Sequence, residues 1–187
     1  MTIARRNHPR DGDPMTNGFP LQPILEGSLL KLRPLEAADF EDLYKVASDP
    51  LVWEQHPQKT RYQRDVFEKF FADAMQSKGA LLAIDKKSGA VVGTSRFYDF
   101  NSAKKEILVG YTFLDRSCWG GLYNQELKSL MLTHAFHYVD RVLFHIGESN
   151  LRSQKAIEKI GAQFHRRFET SRPDGSISVT FEYVLNR

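Results

Sequence analysis

Two adjacent glycines, Gly120 and Gly121, carry the plainest chemical meaning in this 187-residue chain. They follow an apolar, aromatic stretch ending at Leu114 and a polar turn, Asp115-Arg-Ser-Cys118. They precede an amphipathic segment with Leu127, Leu130, Met131, Ala135, Phe136 and Val139 on one side. A strand that turns through glycines into a helix leaves backbone N–H groups unpaired at the positive end of the helix dipole. Such a turn can bind phosphate through backbone alone, although a glycine pair is also an ordinary turn. Asn150 and Ser153 head the next helical pattern, where they can serve as site groups or simply as helix caps. Cys118 is the single cysteine, and nothing beside it argues for a catalytic thiol. His134, His137 and His145 do not pair with a carboxylate at metal-ligand spacing, so no metal is expected.

The elements that must position these groups can be read from periodicity. Residues 28–35 alternate as a strand, with Leu30 and Leu32 inward and Pro34 marking an edge or an end. Two helical patterns follow, over 36–47 and 63–77, the first stopped by Ser48-Asp49-Pro50 and the second by Gly79. Three strands over 80–85, 90–99 and 105–114 form an antiparallel meander with a turn at Lys86-Lys-Ser-Gly89. The glycine-led helix then joins the third of these to a buried strand at 141–147, which makes a βαβ unit with a parallel pair. A helix over 150–160 and a closing hairpin, 163–171 and 176–185 around Arg172-Pro-Asp-Gly175, complete the chain. The expected fold class is α+β (mixed α/β), of order β-α-α-β-β-β-α-β-α-β-β. Its sheet is mostly antiparallel, with one central parallel pair.

Composition narrows the function classes. Residues 1–19 are poor in apolar side chains and are expected to form a disordered tail, with 20–187 as one domain; Met15 is an alternative start. No apolar run reaches the ~18 to 20 residues that span a bilayer, and no signal-type h-region follows Arg5 and Arg6. One cysteine fits a reducing, cytoplasmic setting. A net charge of +3 suits an anionic ligand and falls short of a nucleic-acid-binding composition. A dinucleotide fold is excluded because no Gly-x-Gly-x-x-Gly occurs, and a Walker loop because no Gly-Lys-Ser/Thr does.

With this order in hand, the chain resembles the GNAT superfamily of acyl-CoA-dependent N-acetyltransferases, nearest the branch that includes ribosomal-protein N-terminal alanine acetyltransferases. Three motifs over about residues 25 to 187 carry the resemblance: Trp119-Gly-Gly-Leu-Tyr-Asn124, Glu148-Ser-Asn-Leu-Arg-Ser153 and Glu158-Lys-Ile-Gly-Ala162. The resemblance implies that Trp119, Gly120, Gly121, Leu122, Tyr123 and Asn124 hold the pyrophosphate of acetyl-CoA, with Arg116 beside it. It further implies that the edge of Phe113–Leu114 and a splay between two strands hold the pantetheine arm. Asn150 would then steady a strand end or a cofactor amide, and Ser153 would serve the leaving sulfur. Trp53, His56 and Tyr98 are substrate-pocket residues by family position.

The chain departs from the family pattern at two positions. Leu122 stands where a second glycine is usual, and Leu108 where related chains often carry a glutamate. The nearest carboxylate, Glu106, is the candidate base, and it reads equally as an exposed strand-edge charge beside Lys104 and Lys105. The expected reaction is acetyl transfer to a primary amine, a peptide or protein N-terminus or a small amine, by direct attack. An acyl-CoA-binding regulatory module without turnover is the alternative. A monomer or homodimer is expected, with neither nucleic acid nor membrane as partner.

Overall fold

Alternation along the strands sets the architecture. A computed structural model of the protein describes residues 15–16, 18–171 and 175–187. Seven principal strands are β1 (Leu30–Pro34), β2 (Ala80–Asp85), β3 (Val91–Asn101), β4 (Glu106–Leu114), β5 (Arg141–Gly147), β6 (Gln163–Ser171) and β7 (Ile177–Asn186). Four helices are α1 (Phe40–Ala47), α2 (Arg64–Ser77), α3 (Leu122–Ala135) and α4 (Leu151–Glu158). The sheet order is β1-β2-β3-β4-β5-β7-β6, with the two-residue strand Leu25–Glu26 outside β1. Every pairing is antiparallel except β4 with β5. The mixed α/β order read from the sequence is therefore the observed one, extended by three two-residue strands near the N-terminus.

Both faces of the sheet are covered, so the inner strands are apolar on both sides. One core gathers Leu81, Ala83, Phe97, Ile107 and Val109 under α3. The other gathers Ala80, Leu82 and Phe113 under Leu43 and Val46 of α1 and Phe67, Phe70 and Phe71 of α2. Helix starts and stops have local causes. Glu36 and Asp39 form a reciprocal capping box ahead of α1. Asn150 caps α4 by accepting from the Ser153 N–H at 3.2 Å. The stop of α2 differs from expectation: Lys78, at φ 51°, takes the left-handed position. Gly79 is needed for a different reason, since a Cβ there would lie 2.0 Å from the Phe97 carbonyl oxygen. Glu126 on α3 ties the helix to the start of β1, accepting from the N–H groups of Ser28, Leu29 and Leu30 and from the Ser28 hydroxyl.

At the N-terminus, most of the expected tail, residues 1–14 and 17, lies outside the described residues, as does the turn at 172–174. Phe19 does not belong to a tail. It is fully buried and packs its ring against Phe97, Phe100, His134 and Tyr138. A single aromatic residue in a polar stretch gave no periodic signal of this docking.

One irregularity positions the site. Between β3 and β4 the register slips, because Thr94 pairs with Phe113 but Arg96 pairs with Gly110. The extra β4 residue includes Tyr111 at φ 52°, a β-bulge with a non-glycine residue in the left-handed region. On its other side β4 pairs with β5 only at Glu106–Arg141, Ile107–Val142 and Leu108–Leu143. Beyond Leu108 the two strands diverge.

Candidate active site

The divergence of β4 from β5 opens a cleft of about 1110 Å³. At one end stand Gly120, Gly121, Leu122 and Asn124 at the head of α3, with Lys155 and Lys159 of α4. At the other stand Tyr98 and Asp99 of β3, Gln58 and Arg61 of the loop after α1, and Phe168 of β6. Between them lie Gly110 to Leu114 of β4 and Phe144 to Gly147 of β5.

The glycine turn is built for an anion. Gly120 has φ 67°, a conformation L residues rarely adopt, and a Cβ on either glycine would meet open space rather than protein. No side chain caps α3, so its first-turn N–H groups face outward unclaimed by a cap. Leu122, 65% exposed, follows as the first residue of the helix. Trp119 fixes the turn from below: its indole N–H donates to the Leu114 carbonyl at 3.0 Å, and the Arg152 guanidinium lies 3.8 Å over its ring. Arg61, Lys128, Arg152, Lys155 and Lys159 line the cleft against a single carboxylate, Asp99. The head of α3, with Lys155 and Lys159 beside it, therefore fits acetyl-CoA, whose phosphates need a helix N-terminus and cations and whose arm needs a narrow slot.

Most of the residues singled out from the sequence line this cleft: Phe113, Leu114, Trp119, Gly120, Gly121, Leu122, Asn124, Asn150, Ser153, Trp53, His56 and Tyr98. Three do not. The Arg116 guanidinium pairs with Asp49 outside the cleft. The Tyr123 hydroxyl turns away to donate to Asp85 at 2.9 Å, leaving only its backbone near the turn. Glu106 is the third. It sits in the closed part of the parallel pair, buried and ion-paired to its cross-strand neighbour Arg141, with Lys104 at 3.9 Å. Two residues separate it from Leu108, a step of about 6.6 Å along a strand, and that step leads away from the splay.

Three groups in the cleft were not anticipated. His145 of β5 lines it and contacts the Glu182 carboxylate of β7 through Nε2 at 2.8 Å, while Arg166 holds the same carboxylate at 2.8 Å. Nε2 must carry a proton to donate to the Glu182 carboxylate, which leaves Nδ1 as the ring nitrogen not engaged there. Lys128 of α3 is buried, and its ammonium donates to the Thr112 hydroxyl at 2.8 Å, which in turn meets the Ser95 hydroxyl at 2.7 Å. Burial pushes Lys128 down to about 7. Arg61 lies over Phe70 and Trp53, 4.7 and 5.4 Å from the ring centroids. The only sequence signal was polarity inside apolar runs: His145 within Arg141-Val-Leu-Phe-His-Ile-Gly147 and Lys128 within a helix's buried stripe. Of the expected pocket residues, His56 is driven down to about 3 by burial first and then by the Arg61 charge, so its imidazole is neutral. Burial raises the Tyr98 phenol, which keeps its proton.

A mostly antiparallel sheet with one parallel pair, flanked by four helices, is the fold of the GNAT acetyltransferases. The chain belongs to the GNAT acetyltransferases: residues 30–163 match the family model described as an acetyltransferase (GNAT) domain. The fold is shared with solved structures at low identity. A GCN5-related N-acetyltransferase from Brucella melitensis superposes with a TM-score of 0.78 at 22% identity, over 88% of this chain and 79% of that one. A GNAT-family acetyltransferase from Bacillus anthracis gives 0.71 at 19% identity, over 87% and 98%. Spermidine N-acetyltransferase from Vibrio cholerae, solved with CoA and spermine, gives 0.66 at 13% identity, over 86% and 96%.

Proposed function

We propose that this GNAT enzyme transfers the acetyl group of acetyl-CoA to a primary amine by direct attack while both are bound. The observation that carries this reading is the splayed β4–β5 cleft, which joins the uncapped head of α3 to a second, aromatic-walled end. Gly120, Gly121, Leu122 and Asn124 would hold the pyrophosphate through backbone N–H groups, with Lys155 and Lys159 beside them. The edge of Phe113 and Leu114 would hold the pantetheine arm. Bound acetyl-CoA supplies a thioester carbonyl open to a neutral amine.

The proton leaving the amine goes to His145, whose Nε2–H donates to Glu182 and whose Nδ1 is free to accept. An α-amine titrates near ~8 and a lysine side chain near ~10.4, so an imidazole has the easier task with the former. Ser153 lines the cleft, and so does the protonated hydroxyl of Tyr98; each is a donor for the leaving sulfur. Asn150 acts on the geometry of α4, since its side-chain oxygen is spent on the Ser153 N–H. The reading leaves a peptide or protein N-terminus and a small amine as acceptor classes, in a cytoplasmic setting.

Free-thiol release from acetyl-CoA, measured over a panel of amines and peptides, tests transfer. Gly120→Glu, which sets bulk and charge at a left-handed position against the phosphates, is expected to weaken acetyl-CoA binding at least ~100-fold by calorimetry. Unchanged affinity would overturn the assigned turn. Acetyl-CoA binding without turnover on any amine would favour a binding module.

A further inference from the structure

At the far end of the cleft, which the Asp99 carboxylate also lines, Arg61 makes no ion pair among the described residues. Arg61 lines this end, and its one polar contact among the described residues is with Nε2 of His56 at 3.2 Å. That contact is not a satisfied hydrogen bond. Nδ1 of His56 already accepts the Gln58 backbone N–H at 2.9 Å, so the proton of the neutral ring sits on Nε2, donor facing donor. Behind it, Arg96 is buried with Nε and Nη2 lacking any hydrogen-bond partner, its guanidinium 4.2 Å from the Tyr111 ring centroid and 5.7 Å from that of Phe70. Among the described residues neither arginine makes an ion pair. Asp73 acts on both only through its field.

Two desolvated guanidinium groups on one aromatic platform, neither of them ion-paired to a carboxylate among the described residues, are costly unless a ligand completes them. Resting on the reading of the cleft as an acetyl-transfer site, we propose that the acceptor is an amine carrying its own carboxylate, received by Arg61 with Arg96 reinforcing the charge behind Tyr111. A planar carboxylate matches the guanidinium fork, and the amine on the same small molecule is then held toward β4 and His145. A polyamine meets like charge at this position, which sets the pocket apart from one suited to spermidine.

The test compares amino acids with their carboxamides, adds peptides beginning with Asp or Glu, and includes spermidine, all with acetyl-CoA. The expected result is a kcat/KM for the acid form at least ~10-fold above its amide, a difference that Arg61→Gln abolishes through KM and Arg61→Lys partly restores. Acetyl-CoA affinity, measured by calorimetry on each variant, stays at the parent value and certifies an intact fold. Equal or better turnover of amides or spermidine overturns the proposal, as does a preference that survives Arg61→Gln. If no amine turns over, binding of the same acids to the acetyl-CoA-loaded protein decides. Carboxylate-dependent binding lost in Arg61→Gln upholds the anion site while the transfer reading fails, and absence of such binding overturns it.

Discussion

At the scale of single residues, the proton acceptor separates what side-chain identity says from what position says. Glu106 has the right chemistry, but Arg141 claims it in the closed part of the ladder. His145 has an ordinary sequence context and becomes chemical only beside Glu182, 37 residues later in the chain. If His145 takes the proton as proposed, His145→Gln is expected to lower kcat by about 100-fold with acetyl-CoA affinity retained. Glu106→Gln is expected to leave kcat in place and to lower thermal stability, because it leaves Arg141 without its partner. A kcat lowered by Glu106→Gln and untouched by His145→Gln would reverse the assignment. The glycine turn was legible because backbone conformation is written in residue type. Arg61, His145 and Lys128 were not, because a buried polar residue declares its role only through partners distant in sequence.

At the scale of elements, α3 has two ends with different duties. Its first turn faces the cleft mouth, while Glu126 and Lys128 fasten its body to β1 and to Thr112 of β4. The spacing of Leu127, Met131 and Ala135 disclosed the buried face, and all three are fully buried. Lys128 broke that pattern without revealing why. Burial holds its ammonium at about 7, below the ~10.4 of an unfolded chain. Below pH 7 the fold bears the full cost of a buried charge. As pH rises from 7 toward 10.4 the unfolded chain binds the extra proton, so this cost fades and stability rises. Lys128→Met should thus raise the unfolding free energy by up to ~5 kcal/mol at pH 6, with the gain shrinking toward pH 10. Denaturant titrations of both proteins across that range check it, and a pH-independent difference would refute the buried-charge account. The strand and helix order was legible for the same reason as α3's face. The bulge at Tyr111 was not: its left-handed backbone is imposed by sheet register in a residue type that ordinarily avoids it.

At the scale of the whole molecule, the sheet consists of two parts that meet over three residue pairs of β4 and β5. The loop after α1 spans the opening between them. Its near side is anchored where the Trp53 indole donates to the Ala47 carbonyl at 2.7 Å. On the far side Pro57 lies so close to Gly147 that a Cβ there would meet its Cγ at 2.6 Å. Arg152 adds a donation to the Val52 carbonyl at 3.0 Å, and its backbone N–H donates to Gln55 at 3.0 Å. In the proposed arrangement, phosphates at the α3 end and an acceptor at the Arg61 end reach the cleft from opposite sides. Initial-rate measurements are expected to give intersecting lines when each substrate is varied against the other. Parallel lines, the mark of one product leaving before the second substrate arrives, would contradict this arrangement.

The loop across the opening has a further meaning for descent within the family. It contributes His56, Gln58 and Arg61 to the end proposed for the acceptor, and meets the turn ahead of the glycines through the Asp49–Arg116 ion pair. Its fastenings run through the Trp53 indole, the Asp49 and Gln55 side chains, the Val52 carbonyl and the Pro57 ring, none of which is His56, Gln58 or Arg61. A lineage can therefore exchange these few side chains and change its diet of amines while inheriting the cofactor machinery intact.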